Sequence, residues 1–107
     1  MLYKFKSKAA GDVIMTEPVG DRIMKALGRE PQPQGIFLAE DLPMVIRLLE
    51  QAIEAEERAR EQLETEANAS GETPPPREAV SLRQRAWPLI EMMRRAQEAG
   101  KEIVWGV

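Results

Sequence analysis

The chain contains no cysteine and no histidine. Without cysteine no disulfide can form, which removes the small secreted scaffolds that depend on them. Zinc, copper, haem and iron–sulfur centres lose their usual ligands. Cysteine nucleophiles and Ser-His-Asp chemistry are excluded as normally built. Only carboxylate and backbone oxygens remain for a metal, which would restrict it to magnesium or calcium types. The sequence gives no ground to expect a cofactor or a metal site.

Aromatic residues are also scarce: Tyr3, Phe5, Phe37, Trp87 and Trp105. A core built from this chain is therefore expected to be mainly aliphatic. No apolar run approaches the roughly 18 residues that span a bilayer. The N-terminus alternates apolar and basic residues and lacks the continuous apolar stretch of a signal peptide. A cytoplasmic location is expected.

What is present suits one domain. The 107 residues are 43% hydrophobic, enough for a single core. Net charge is -3, so nothing demands a polyanionic partner. The charge is unevenly spread. Residues 39–72 hold ten acidic and three basic side chains, and residues 73–107 hold four acidic and six basic. Such asymmetry suggests internal pairing or antiparallel self-association, or simply solvated helix faces.

Leu2–Lys8 alternates with the period of a strand, with Tyr3, Phe5 and Ser7 on one face and Lys4, Lys6 and Lys8 on the other. Residues 9–12 read as a turn, and Val13–Met15 as a second short strand paired with the first. Thr16, Glu17 and Pro18 suit a helix start. Val19, Ile23, Ala26 and Leu27 recur at helical spacing, and Gly28 supplies the stop. Pro31 and Pro33 mark a loop before an extended run, Gly35–Leu38.

Glu40-Asp41-Leu42-Pro43 reads as the start of the longest helix, with Asp41 as its cap. Leu42, Val45, Ile46, Leu49, Ala52 and Ile53 form its apolar stripe, which thins afterwards to Ala55, Ala59 and Leu63. Its first half should pack on the core. Its second half should project or pack more weakly. Glu54–Arg58 and Glu56–Arg60 are spaced to pair along it. Residues 66–79 are expected to form a flexible linker. Ser81 and Gln84 then form a capping box for a third helix. Pro88 lies inside that helix and should kink or break it. Gly100 ends it, and Glu102–Trp105 reads as a last strand.

The chain holds no glycine-rich nucleotide motif, no GxSxG and no SxxK. Glu40 and Asp41 are adjacent carboxylates, but their place at a helix start already accounts for them. Arg85 stands next to the buried stripe of the third helix and is expected to need a carboxylate. Glu40 or Asp41 is the candidate, either as a structural ion pair or as an anion-binding site. Trp87 falls off that stripe, with Met92 beside it. It is expected either to mark a partner surface or to pack against the Trp105 strand. RNA binding through Lys4, Lys6 and Lys8 would need exposed aromatics on the same face.

Three segments together carry a resemblance: LYKFKSKAAGDVIM at 2–15, GIFLAEDLP at 35–43, and VSLRQRAWPLIEMMRRA at 80–96 followed by IVWGV. They resemble a family of short bacterial proteins classed as a domain of unknown function. The resemblance covers nearly the whole chain apart from the linker. It implies a basic first strand, a helix ending at glycine, an acidic-Pro helix start, a variable linker, an RAxPLIE helix and a last strand with tryptophan. It carries no activity. Thr16-Glu17-Pro18 stands where the family often has an aromatic-Gly helix start. Asp12, Glu40, Asp41, Arg85, Pro88 and Trp105 are the matching residues available to a shared surface.

The expected architecture is a single α+β domain. Three helices pack on a small, mainly antiparallel sheet of two to four strands, with the first and last strands adjacent. The expected role is non-enzymatic: an interaction or regulatory protein, with a homodimer as one form, and with Glu40, Asp41, Arg85, Trp87 and Trp105 as candidate ligand or partner contacts. The alternative is a binder of small anionic ligands through Arg85 with Glu40 or Asp41.

Overall fold

The computed structural model describes residues 2–69, 71 and 81–106. The chain opens with a hairpin. β1 (Leu2–Ser7) pairs antiparallel with β2 (Ala10–Thr16), setting Tyr3 opposite Met15 and Phe5 opposite Val13. The turn is Lys8-Ala9, so Ala10–Asp12, expected as the turn itself, belongs to β2. Alternation sends Tyr3 and Phe5 into the core and leaves Lys4 outside, where it meets Asp12 at 3.7 Å.

α1 (Glu17–Ala26) starts at Thr16, whose side chain makes no capping bond. Gly20 is buried in this helix because the Tyr3 ring lies where a Cβ would point. The helix closes at Gly28, φ 74°, with Arg29 N–H donating to the Met24 carbonyl and Gly28 N–H to Lys25. β3 (Gly35–Phe37) follows the proline loop, and a 3-10 turn, Ala39–Asp41, runs directly into α2 (Leu42–Ala69). Asp41 therefore sits inside that turn, its N–H donating to the Leu38 carbonyl. It does not precede the helix as a cap. α2 extends through Ala69, so residues 66–69 of the expected linker are helical. Residues 70 and 72–79 lie outside the described residues.

α3 (Leu82–Ala99) begins with the Ser81–Gln84 capping box. It runs through Pro88 as one unbroken helix. Pro88 leaves the Gln84 carbonyl without its usual donor, on an exposed face of the helix, where water can substitute. Gly100, φ 67°, closes the helix into β4 (Ile103–Trp105).

The four antiparallel strands run in the order β2-β1-β4-β3. The two ends of the chain therefore meet at the centre of the sheet, with Phe5 opposite Trp105. The fold is α+β. Phe5 stacks with Phe37 and Tyr3, and Trp105 tilts against Phe5 and Phe37. Scarce as they are, four of the five aromatics thus gather on the inner face of the sheet. Leu42, Leu49, Leu89, Ile90 and Met93 pack with them from the helices. Because the aromatics are inside, the lysines of β1 have no stacking platform for RNA bases beside them. No helix among the described residues is long and apolar enough to cross a membrane.

Candidate functional site

α2 and α3 pack side by side in opposite directions. The acidic face of one meets arginines of the other. Arg83 grips Glu57 through two hydrogen bonds, of 2.6 and 3.1 Å. Arg94 reaches Glu50 at 2.5 Å and Glu91 at 3.6 Å. The hydrogen bond with Arg83 holds the Glu57 carboxyl below the usual range, and the same bond raises the guanidinium. Internal pairing thus accounts for part of the charge asymmetry. One local expectation changes partner. Glu56 bonds Arg22 of α1 at 2.7 Å, with no pair to Arg60 among the described residues. Glu54–Arg58 pairs as the spacing requires, at 3.8 Å.

Trp87 stands between these two clamps. It is 46% exposed, with the Arg94 guanidinium 5.6 Å from its ring centroid. A helix repeats every 3.6 residues, which places Arg83, Gln84, Trp87 and Pro88 on one turn-to-turn patch of α3. These four line a shallow, open and largely apolar depression. A second depression joins Trp87 to Arg83, Arg94, Glu50 and Glu54. The result is a flat aromatic centre with a charged rim. Met92, expected beside Trp87 at the surface, is instead buried.

The other expected site residues are not brought together. Trp105 is a core residue, 4% exposed, and its indole N–H donates to the Gln32 carbonyl at 3.1 Å. Trp87 lies in the α2–α3 seam. The Trp105 edge lines a cleft of about 500 Å³ with Met24, Arg29 and Ile36. Glu40, Asp41 and Arg85 are all exposed. No ion pair or hydrogen bond among the described residues joins Arg85 to either carboxylate. The reason is register. Glu57 lies opposite Arg83, so Arg85 is near the middle of α2, and Asp41 is roughly 21 Å away along the helix. The helical stripe gave the face of Arg85 but not its level on the neighbouring helix.

All charged side chains of the described residues keep some contact with solvent, and none of their polar side-chain atoms is buried without a partner. No group of three or more carboxylates converges among them. The largest pKa displacement is that of Tyr3, pushed up to about 12 by burial and by its 2.6 Å hydrogen bond to Asp21. Tyr3 belongs to the core, well away from the Trp87 surface in the sequence and in the fold. In the seam, Arg83 and Arg94 are matched by Glu57 and Glu50, and the Trp87 face is half-exposed.

The profile of one sequence family matches residues 1–105, a span that takes in the three quoted segments and the last strand as far as Trp105. The chain belongs to the DUF1840 family, a domain of unknown function. No curated protein and no solved structure matches it. The DUF1840 match spans the hairpin, all three helices and β4, and so includes the α2–α3 seam and Trp87.

Proposed function

We propose that this DUF1840 domain is a protein-interaction module and that Trp87 is the anchor of its partner surface. The observation that carries the reading is the half-exposed Trp87, set beside Pro88 and between the Arg83–Glu57 and Arg94–Glu50 pairs. Partner surfaces draw much of their affinity from a few aromatic anchors, with polar groups at the rim. A tryptophan side chain buries about 150–250 Å² when covered. Half of that remains available here, worth about 2–3 kcal/mol at 25 cal/mol/Å².

The test is affinity capture from a lysate of the organism that carries the gene, with wild type and Trp87→Ala side by side. A discrete protein should co-purify in stoichiometric amount with wild type. Trp87→Ala should weaken its binding by about 30-fold or more, a loss of about 2 kcal/mol. Its unfolding midpoint should stay close to that of wild type, because the ring is not part of the core. Equal capture by both proteins, or no specific capture by wild type, would refute the reading.

A further inference from the structure

The loop that joins α1 to β3 is tied down along its length. Arg29 N–H donates to the Met24 carbonyl at 2.9 Å, and the Gln32 carbonyl accepts from the Trp105 indole at 3.1 Å. Gly106 lies so close to the Pro33 carbonyl that a Cβ would not fit between them. Between this loop, β3 and Trp105 opens a cleft of about 500 Å³. Small-molecule sites run from about 300 to 1,000 Å³. A cleft whose walls are already fixed loses little affinity to ordering them.

Two opposite charges line this cleft, Arg29 and Glu30, both exposed. The Arg29 guanidinium is set over the buried Phe37 ring, 4.9 Å from its centroid. Neither charge has an ion pair among the described residues, and the two do not pair with each other. Arg83 and Arg94 of the α2–α3 seam, by contrast, are each matched by a glutamate. Ile36, 45% exposed, gives the cleft an apolar wall, continued by the edges of Met24 and Trp105. The lining thus offers one cation, one anion and an apolar surface.

We propose that the cleft binds a free α-amino acid with an apolar side chain. The Arg29 guanidinium takes the α-carboxylate, the pairing its planar fork suits best. Glu30 takes the ammonium group, and the side chain lies against Ile36 beside the Trp105 edge. Charge complementarity selects this class. A dicarboxylate or a phosphate dianion would set surplus negative charge against Glu30. An amine alone would leave Arg29 unmatched. A zwitterion answers both groups at once and leaves no net charge in the cleft. The site lies apart from Trp87 and does not rest on the function proposed above.

Nuclear magnetic resonance titration of the full chain tests it, with L-leucine, L-isoleucine, L-methionine and L-phenylalanine as probes. The chain has two tryptophans, so two indole N–H signals appear, and Trp87→Phe assigns that of Trp105. At least one probe should shift the Trp105 signal saturably, with a Kd below about 10 mM. For the tightest probe, the N-acetyl derivative lacks the ammonium and the decarboxylated amine lacks the carboxylate. Each should bind at least about fivefold more weakly. Arg29→Gln and Glu30→Gln, at exposed positions, should each weaken the parent amino acid to a similar degree with unchanged circular dichroism. No saturable shift with any of the four probes would overturn the proposal. So would a derivative that binds as tightly as its parent, or binding that survives both substitutions unchanged.

Discussion

Gly35 shows how much a single missing side chain sets in this fold. The Trp105 ring lies where a Gly35 Cβ would stand, just as the Tyr3 ring lies against Gly20. The absence of a side chain is what lets the indole lie flat across β3 and reach the Gln32 carbonyl. Gly35→Ala is expected to cost about 1–3 kcal/mol by overpacking. Equilibrium denaturation checks it, and an unchanged midpoint would contradict the packing described. Tyr3 supplies a second test at this scale. Its pKa of about 12 exceeds the ordinary 10.0 because the phenol is buried and donates to Asp21. The folded chain therefore holds this proton more tightly than the unfolded chain. The resulting stability is complete below pH 10 and is lost as pH rises from about 10 to 12, up to about 2–3 kcal/mol. Tyr3 is the only tyrosine, so tyrosinate absorbance titrates it alone, and Tyr3→Phe should remove this part of the alkaline loss. Titration near 10 in the folded protein would contradict the buried hydrogen bond. The alternation of Tyr3 and Phe5 was legible from sequence, but the glycine contacts were not, because Gly20 and Gly35 meet rings distant along the chain.

The helices divide in the same way. Ser81 and Gln84 announced the start of α3 because a capping box is a local device, complete within four residues. Ser81→Ala should cost about 1 kcal/mol, measurable by urea denaturation, while Ser81→Thr should retain most of the stability. An equal loss with threonine would mean that the hydroxyl is not the cap. Gly28 and Gly100 were equally legible as stops. Asp41, by contrast, lies in a 3-10 turn that extends the helix backwards, and no residue in 38–43 distinguishes that turn from a capped start. Pro88 reads as a kink or a break in any local account. The helix continues through it since the exposed side can spare one backbone bond. The partner of Arg85 depended on the vertical register of two helices joined through a segment that periodicity does not position. Of the two tryptophans expected as contacts, Trp87, lying off the buried stripe, is the exposed one.

For the whole molecule, the sheet order follows from β4 returning to pair with β1, which closes the core between the first and last strands. That closure puts one layer of helices on the inner face of the sheet. Leu2, Ile14 and Ile36 remain exposed on strands whose inner-face neighbours are buried. On the helical side, α2 and α3 carry the surface assigned to a partner, the Trp87 seam.

The central claim is that Trp87 meets another protein. A photo-activatable amino acid placed at position 87, with the protein expressed in its own cells, tests this most directly, using the same probe at Thr16 on the exposed end of β2 as the control. The account expects one discrete cross-linked protein from position 87 and none of that size from position 16. No adduct at position 87, or the same adduct from both positions, would contradict it.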